Sequence, residues 1–244
     1  MKTYIRFKVV LILCISALFT SCSLDVQESF DFKPDVDLTE PYGNLTAWEY
    51  IQTQTAFTEE GEFDNEKLNY MVEAIKKAGY EDIYNQTATT ERTYLLLNNG
   101  AFRGNGDVID IVTGDPSTTV TEIINGEEVT RELSAAEVMS RVDTPEEMER
   151  LKAVLNYHIV DAYVAQVPQL EIRDERYLFQ TLIPGDDGLI AFHRDWQWRV
   201  EINRAPAPLP TTATSQWERV RRHNYVFKNG VGHYINDPVR NKPY

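Results

Sequence analysis

The sequence predicts an α+β protein in which helices come mostly first and strands mostly later. Three observations support this class. Apolar residues recur at helical spacing in the first part of the chain, and runs of aromatic and β-branched residues follow in the second part. The two kinds of segment do not alternate along the chain. This order favours an α+β fold over repeated βαβ units.

Three helix starts carry the spacing of a capping box. In this motif a Ser or Thr hydroxyl accepts a hydrogen bond from the backbone three residues later, and a Glu at that later position reaches back to the cap. The three pairs are Thr46 with Glu49, Ser134 with Glu137, and Thr144 with Glu147. Pro145 follows the third cap at the first helical position, where its missing N–H costs nothing.

Two of the predicted helices are amphipathic. In "DNEKLNYMVEAIKKAGY" the apolar residues fall on one face, and Gly79 is placed to end the helix. In "TPEEMERLKAVLNYHIV" the steps from Met148 through Leu151 and Leu155 reach His158. Both helices should pack on a core, and His158 should leave its helix on the buried side.

The second half contains three strand-like runs separated by Pro, Gly and Asp turns: "YLFQTLI", "GLIAFHRDWQWRVEI" and "YVFKNGVGHYI". Earlier in the chain, "YLLL" is apolar throughout, as expected of a strand covered on both faces. Gly232 lies inside a strand pattern and indicates a bulge or a close backbone approach. Asn229 and Gly230 are expected to form the turn before that strand.

The N-terminus reads as an export signal. Lys2, Arg6 and Lys8 precede a short apolar run from 9 to 19, and Ser21 stands directly before Cys22. This pattern resembles the lipobox of bacterial lipoproteins, in which the cysteine is acylated, although an ordinary cleaved signal with a chance cysteine is the alternative. We predict a lipoprotein signal peptide at 1–21, a lipidated acidic tether at 22–41 and one domain at 42–244.

Charge and cysteine content narrow the classes of function. The chain carries a formal net charge of −14, and removal of the three basic signal residues makes the remainder still more acidic. Such acidity argues against nucleic acid and against an anionic membrane surface as partners. The two cysteines, Cys14 and Cys22, lie in the signal and at the lipidation position, so stability must come from a hydrophobic core.

Three segments, in order, resemble one family. "TYLLLNNGAF" matches the first signature of fasciclin (FAS1) domains at Thr93, Asn99, Ala101 and Phe102. "LNYHIV" is similar to the family's Tyr-His segment with Tyr157 and His158, and "NGVGHYIN" to its second signature. In that second signature the matching residues are Asn229, Gly230, Val231 and His233.

The resemblance implies a wedge-shaped β-sandwich flanked by α-helices, with both signature strands central. The sequence departs from the signatures at 96–98, at Gly232 and at Asn236. The stretches 103–150 and 184–224 are longer than a minimal domain needs, and lengthened loops on a rigid scaffold often carry function. In animal members of the family the Tyr-His neighbourhood is linked with adhesion, which keeps Tyr157 a candidate contact residue.

No catalytic or metal-binding motif stands out. The four histidines, His158, His193, His223 and His233, are scattered singly, without the short spacing of a zinc site. The pair Asp186 and Asp187 lies in "PGDDG", which a turn explains better than glycosidase chemistry. We therefore expect no catalytic residue, no metal and no cofactor. His233 is expected to be a structural histidine, with a ligand or catalytic role as the alternative.

Aromatic residues supply the candidate ligand contacts. Alternation along "FHRDWQWRVEI" would put Phe192, Trp196, Trp198, Val200 and Ile202 on one face with Arg194. Such a face is either core or a platform for sugar rings, and Trp217 could join the platform. The candidate contact residues are Tyr157, Trp196, Trp198 and Trp217.

The sequence predicts a non-enzymatic, lipid-anchored FAS1 protein of the outer membrane, at the cell surface or facing the periplasm, in adhesion or matrix contact. Its partners would be a protein or polysaccharide at the cell surface, and the membrane through the lipid. The alternative is an accessory glycan-binding lipoprotein of a polysaccharide-uptake system. The oligomeric state is left open.

Overall fold

The structure is a computed structural model that describes residues 42–55, 64–209, 213 and 216–240, which belong to the unit Leu38–Tyr244. The predicted signal peptide, Cys22 and the predicted tether lie outside the described residues. Among the residues described, no helix combines the length and apolar character needed to cross a bilayer.

The helices follow the predicted order, and most of them precede most of the strands. The six described α-helices are α1 Ala47–Thr53, α2 Asn69–Ala78, α3 Glu81–Asn85, α4 Val108–Thr113, α5 Ala135–Ser140 and α6 Pro145–Tyr157. Two short 3₁₀ helices span Asn99–Phe102 and Asp186–Gly188.

Ten strands are described. They are β1 Thr93–Leu97, β2 Thr119–Ile124, β3 Glu127–Glu132, β4 Ile159–Val160, β5 Tyr177–Gln180, β6 Leu189–Arg194, β7 Val200–Ile202, β8 Glu218–Arg219, β9 Arg222–Phe227 and β10 Gly230–Ile235. They form a sheet in the order β4-β1-β10-β9, a sheet in the order β5-β6-β7-β8, and the hairpin β2-β3. The α+β class is confirmed.

The three predicted capping boxes are all present. Thr46, Ser134 and Thr144 each accept from the backbone three residues later, and the glutamate there returns to the cap. Helix α2 ends as predicted, because Gly79 adopts the left-handed conformation (φ 68°) that favours glycine. These signals involve residues a few positions apart in the chain, so the helix ends could be predicted from local sequence.

The two signature strands are neighbours at the centre of the first sheet. Strand β1 pairs parallel with β10, with Thr93 beside Val231 and Leu97 beside Ile235. Every residue of both strands is buried. A strand covered on both faces can be apolar without alternation, which explains the run "YLLL". The expectation that both signature strands are central is confirmed.

The hairpin between β9 and β10 differs by one residue from the prediction. Gly230 pairs with Phe227, so the two turn residues are Lys228 and Asn229, and Gly230 opens the strand. The bulge predicted at Gly232 is confirmed, because the pairing register shifts after it. The close neighbour there is a side chain: a Cβ would lie 2.6 Å from a ring carbon of Phe227.

The prediction of one continuous strand through "FHRDWQWRVEI" is wrong. Strand β6 ends at Arg194 and β7 begins at Val200, antiparallel to it. Asp195 closes the turn between them: its N–H donates to the carbonyl of Arg199, and its carboxylate accepts from two backbone N–H groups. Trp196 and Trp198 therefore lie in a turn and do not continue the strand's face.

The two four-stranded sheets are joined by buried side chains and by edge contacts. The ring of Phe192 from β6 contacts the ring of His233 from β10, with centroids 6.4 Å apart. A β-bridge between Val160 and Thr181 links β4 to the end of β5. The helices contribute buried apolar faces to the same core, among them Tyr70 and Met71 from α2.

The stretch 103–150, expected to be a lengthened loop, contains regular structure. It carries α4, the β2-β3 hairpin, α5 and the start of α6. Asn125 and Gly126 both have positive φ in the two-residue hairpin turn. None of the hairpin residues is buried, and Arg131 ties the hairpin to α5 through Glu137.

Candidate functional site

The side chains of the first signature make contacts inside the protein. The hydroxyl of Thr93 donates to the carbonyl of Ala162 and accepts from the N–H of Val164. The amide of Asn99 accepts from the N–H of Tyr70 and donates to the carbonyl of Asp64. Ala101 and Phe102 are buried, and Phe102 stacks on Tyr70 with centroids 5.5 Å apart. This signature attaches β1 to α2 and to the chain after β4.

Asn229 joins three elements from a fully buried position. Its carbonyl accepts from the N–H of Ala47 at 2.9 Å, and its amide donates to the carbonyl of Tyr84 at 2.9 Å and to the hydroxyl of Tyr94 at 3.0 Å. These partners belong to α1, α3 and β1. The turn before β10 therefore carries an amide that holds α1 and α3 on the sheet.

Tyr157 and His158 lie in the core. The Tyr157 hydroxyl donates to the carbonyl of Leu189 at 2.8 Å and accepts from Asn203 at 3.0 Å. His158 contacts the carbonyl of Val154 at 2.7 Å through Nδ1 and accepts from the N–H of Val239 at 3.2 Å through Nε2. Neither side chain is accessible, so the expectation that Tyr157 contacts a ligand is corrected: burial removes it from any external partner.

His233 is buried between the two sheets. Its Nε2 donates to the carbonyl of Val164 at 2.7 Å, and its Nδ1 accepts from the N–H of Asn224 at 3.2 Å. Burial lowers the pKa of His233 to about 4, and it lowers the pKa of His158 to the same value. Both rings are therefore neutral at pH 7, with both nitrogens engaged by backbone groups.

The three candidate tryptophans do not form one platform. Trp196 is 66% exposed in the β6-β7 turn, whereas Trp217 is 41% exposed beside β8, which pairs with the far end of β7. Trp198 has a positive φ of 64° and packs under the buried guanidinium of Arg194, 3.7 Å from the ring centroid. The predicted stripe is therefore split by the turn, and only Trp196 and Trp217 keep substantial exposure.

A polar cleft opens where the two signature strands end. It has a volume of about 540 Å³, and we call it the signature cleft. The 3₁₀ helix after β1 supplies one wall and the residues after β10 supply another. Its lining residues are Asn65, Gly100, Arg103, Gly104, Asp107, Pro116, Thr118, Asn236 and Asp237.

The parallel pairing of β1 and β10 builds this cleft. Because the strands run in the same direction, their C-terminal ends meet at one edge of the sheet. There Asn98 caps the 3₁₀ helix by accepting from the N–H of Ala101, and its amide lies 3.3 Å from Asn236. Gly100 approaches the side chain of Asn236 so closely that a Cβ would clash with it. A side chain at position 100 would therefore require the Asn236 side chain to move.

Carboxylates dominate the electrostatics of the signature cleft. Burial, followed by the charges of Asp237 and Asp110, raises the pKa of Asp107 to about 7. Burial, followed by the charge of Asp237, also raises the pKa of Glu218 to about 7. The charge of Asp237 thus contributes to the raised pKa of both Asp107 and Glu218.

We expect Asp237→Asn to stabilise the protein at pH 8. Raised native-state pKa values of Asp107 and Glu218 mean that stability is fully present below the unfolded-state values and is lost as pH rises through about 7. Removing the charge of Asp237 should therefore raise the free energy of unfolding at pH 8 by about 1–2 kcal/mol. This value is reduced to allow for partial screening of the carboxylates by solvent.

Chemical denaturation at pH 8 and at pH 4 checks this expectation. The gain should shrink towards pH 4, where Asp107 and Glu218 are protonated in the native protein. The exposed Asp143→Asn serves as the matched control, with no pH-dependent gain. An Asp237→Asn variant that is less stable than the parent at pH 8 would contradict the conclusion that the charge of Asp237 destabilises the protein beside Asp107 and Glu218.

The signature cleft offers hydrogen-bonding groups of both kinds. Arg103 and the amides of Asn65 and Asn236 are donors, while Asp107, Asp237 and the amide oxygens are acceptors. Among the residues described, no three His, Cys, Asp or Glu side chains are arranged to hold a metal ion. Mixed donors and acceptors at a polar surface suit hydroxyl groups, which both donate and accept.

Sequence reasoning did not select the carboxylates of this cleft. Asp107, Glu218 and Asp237 are far apart in sequence, and no motif connects them. The usable signal was the second signature itself, because the residue after its last position is Asp237. That observation would have placed one carboxylate at the end of β10 but not its two neighbours.

The chain is thus an α+β protein with a polar cleft at the ends of two parallel central strands. No protein-family model and no curated protein matches its sequence. Among solved structures it is similar to a FAS1 domain pair from the insect cell adhesion molecule fasciclin I, with a TM-score of 0.48 and 12% sequence identity. The match covers 80% of this chain and 51% of that chain, so it spans about half of that protein.

Proposed function

We propose that this chain is a lipid-anchored, extracytoplasmic protein of the FAS1 type that acts non-enzymatically in cell adhesion or matrix contact. The observation that carries the proposal is the arrangement of the two signature segments. They lie 138 residues apart, from Asn98 to Asn236, yet their strands pair side by side and end at one polar cleft. The two segments that resemble the family signatures in sequence therefore also lie side by side and share one site.

The signature cleft supports a polysaccharide as the partner more than a protein. Protein interfaces are depleted in charged residues at their centre and enriched in aromatic residues. The cleft lining is the reverse, with two aspartates, an arginine and two asparagines and no aromatic side chain. Sugar hydroxyls can satisfy these groups from a flexible polymer.

The anchoring part of the proposal rests on the sequence alone. The basic start, the short apolar run and Ser21-Cys22 support a lipidated cysteine on the outer membrane, facing the cell surface or the periplasm. A single acyl chain binds a membrane only marginally, so stable attachment needs the several chains of a bacterial lipoprotein. The acidic segment after Cys22 would then separate the domain from the anionic membrane surface.

The second candidate function is accessory glycan binding for a polysaccharide-uptake system. The exposed Trp196 favours it, because a tryptophan that remains 66% exposed presents a face to a sugar ring. Transporter and glycoside hydrolase genes beside the gene for this chain would favour this role, whereas adhesin genes there would favour adhesion.

Adhesion of cells that display the full-length chain tests the proposed function. We expect them to bind a surface coated with pectin more strongly than cells without the protein, and Asp237→Asn to reduce this binding. Because that variant is expected to be at least as stable as the parent at pH 8, its loss of adhesion would not reflect unfolding. Cys22→Ala should release the protein from the membrane fraction and abolish adhesion.

The matched control is Asp143→Asn, which removes the same charge at an exposed position away from the cleft. Equal adhesion by cells with and without the protein would overturn the proposed role. Adhesion that is unaffected by Asp237→Asn would show that the signature cleft takes no part in this role. Release of sugars from the coating, lost in Asp107→Asn, would contradict the non-enzymatic part of the proposal.

A further inference from the structure

We propose that a cavity formed by three arginines beside the signature cleft binds an anionic substituent, a carboxylate or a sulfate, of the polysaccharide. This inference rests on the proposed function and names its ligand class as an acidic polysaccharide. The cavity has a volume of about 380 Å³ and is lined by Glu66, Arg219, Val220, Arg221 and Arg222. We call it the arginine cavity.

The arginine cavity holds more positive charge than its carboxylates neutralise. Glu66 is shared by Arg221 and Arg222, and both ion pairs are long, at 3.6 Å. The side chains of Arg221 and Arg222 remain 53% and 56% exposed. Arg219 is directed elsewhere as well, to the buried carboxylate of Glu201 at 3.3 Å.

The β2-β3 hairpin shows how the same chain pairs an arginine fully. Arg131 donates to Glu137 at 2.9 and 3.2 Å and to Glu122 at 3.1 Å, so two carboxylates engage one guanidinium. In the arginine cavity the ratio is reversed, with one carboxylate for two guanidiniums. Donors of Arg221 and Arg222 therefore remain available to an incoming oxyanion.

A local cluster of basic residues is unusual in a chain with a formal net charge of −14. Long-range attraction cannot explain what it binds, because the protein as a whole repels polyanions. Recognition must instead be short-range, through the planar fork of the guanidinium, which matches carboxylate and sulfate oxygens in pairs. This requirement favours single anionic groups spaced along a polymer over the dense charge of nucleic acid.

Neighbouring residues connect the arginine cavity to the signature cleft. Asn65 lines the cleft and Glu66 lines the cavity. Glu218, whose pKa is raised by burial and by Asp237 of the cleft, directly precedes Arg219. A single oligosaccharide could thus place hydroxyl groups in the cleft and an anionic substituent in the cavity.

An aromatic surface lies next to the arginines. The rings of Tyr42 and Tyr225 stack with centroids 5.9 Å apart, and both side chains are half-buried. Burial lowers the pKa of the Arg222 guanidinium, but neighbouring groups, Tyr225 first among them, outweigh this effect, so the pKa is raised. An aromatic face beside a guanidinium gives a sugar ring an apolar contact near the charged one.

Binding of matched oligosaccharides to the full-length chain tests the inference. The first arm compares oligogalacturonate with its fully methyl-esterified form, which has the same sugar without the charge. The second arm compares dextran sulfate with dextran. We expect the charged member of at least one pair to bind at least tenfold more tightly, and its affinity to fall as ionic strength rises. The pair in which the charged member binds more tightly shows whether the cavity recognises a carboxylate or a sulfate.

Three variants localise the effect. Arg221→Ala and Arg222→Ala should each weaken binding of the charged member about tenfold and leave the uncharged member unaffected. Arg173→Ala, which removes an equally exposed arginine before β5, should change neither affinity. Thermal midpoints close to that of the parent would show that the variants remain folded.

The outcomes separate this inference from the proposed function. Equal binding of charged and uncharged members, unaffected by the arginine variants, would overturn the arginine cavity while leaving the cleft and adhesion intact. Single-stranded DNA that binds as tightly as oligogalacturonate would overturn selectivity for an acidic polysaccharide. Equal adhesion by displaying cells and by cells without the protein would instead overturn the proposed function.

Discussion

Replacing Asn229 by alanine is expected to lower the free energy of unfolding by about 3–5 kcal/mol, since each buried group left without its partner costs about 1–3 kcal/mol. The variant would leave the N–H of Ala47 and the carbonyl of Tyr84 without their hydrogen-bonding partner inside the protein. It would also detach α1 and α3 from the turn before β10. Urea denaturation followed by tryptophan fluorescence measures the loss.

Asn44→Ala provides the matched control for this prediction. Asn44 is exposed in the turn that precedes α1, so its replacement should change the free energy of unfolding by about 0.5 kcal/mol or less. If Asn229→Ala and Asn44→Ala unfolded at the same urea concentration, the assignment of Asn229 as the joint between helices and sheet would be wrong.

His233→Ala is expected to lower the free energy of unfolding by about 2–4 kcal/mol at pH 7, through the loss of a buried hydrogen-bonded ring and its packing. The ring donates to Val164 and accepts from Asn224, and it contacts Phe192 between the two sheets. The exposed His223→Ala is the control and should have little effect.

The pH dependence of this loss distinguishes a buried neutral histidine from other causes. Because burial lowers the pKa of His233 to about 4 from 6.5, its contribution is fully present above pH 6.5 and is lost as pH falls towards 4. The full shift corresponds to about 3 kcal/mol. The difference between parent and His233→Ala should therefore shrink on acidification. A difference that stays constant from pH 7 to pH 4 would contradict the neutral, backbone-bonded ring.

The features that the sequence predicted correctly depend on near neighbours in the chain. A capping box needs two residues three apart, and a helix stop needs a glycine that can adopt positive φ, as Gly79 does. The buried strand "YLLL" was likewise readable, because four consecutive apolar residues exclude a strand with one solvated face. None of these signals requires knowledge of the tertiary structure.

The alternating pattern of aromatic residues did not predict the turn after Arg194, and the reason is physical. Its residues are Asp-Trp-Gln-Trp-Arg, without the Gly or Pro that usually marks a turn. The turn is held by the side chain of Asp195, which accepts from the N–H groups of Gln197 and Arg199. Aspartate in this local role was the available signal, but aromatic periodicity dominated the interpretation.

The signature cleft could be predicted only in part. Two signature segments in one sheet imply that their ends are close, but the parallel pairing that brings Gly100 against Asn236 is a tertiary fact. The raised pKa values of Asp107 and Glu218 depend on burial and on a third carboxylate, so composition could not show them. The three arginines of the cavity lie within four positions of the sequence, but their carboxylate partner Glu66 is distant, so the sequence could not show how they are paired.

Hydrogen-exchange mass spectrometry of the full-length chain with and without oligogalacturonate tests most directly that the strand ends form the binding site. The account predicts slower exchange at the residues that line the cleft and the cavity, in segments 98–107, 219–222 and 236–237. It predicts unchanged exchange in the β6-β7 turn that carries Trp196. Protection of that turn, with the cleft and the cavity unchanged, would contradict the central claim and locate binding at the tryptophans.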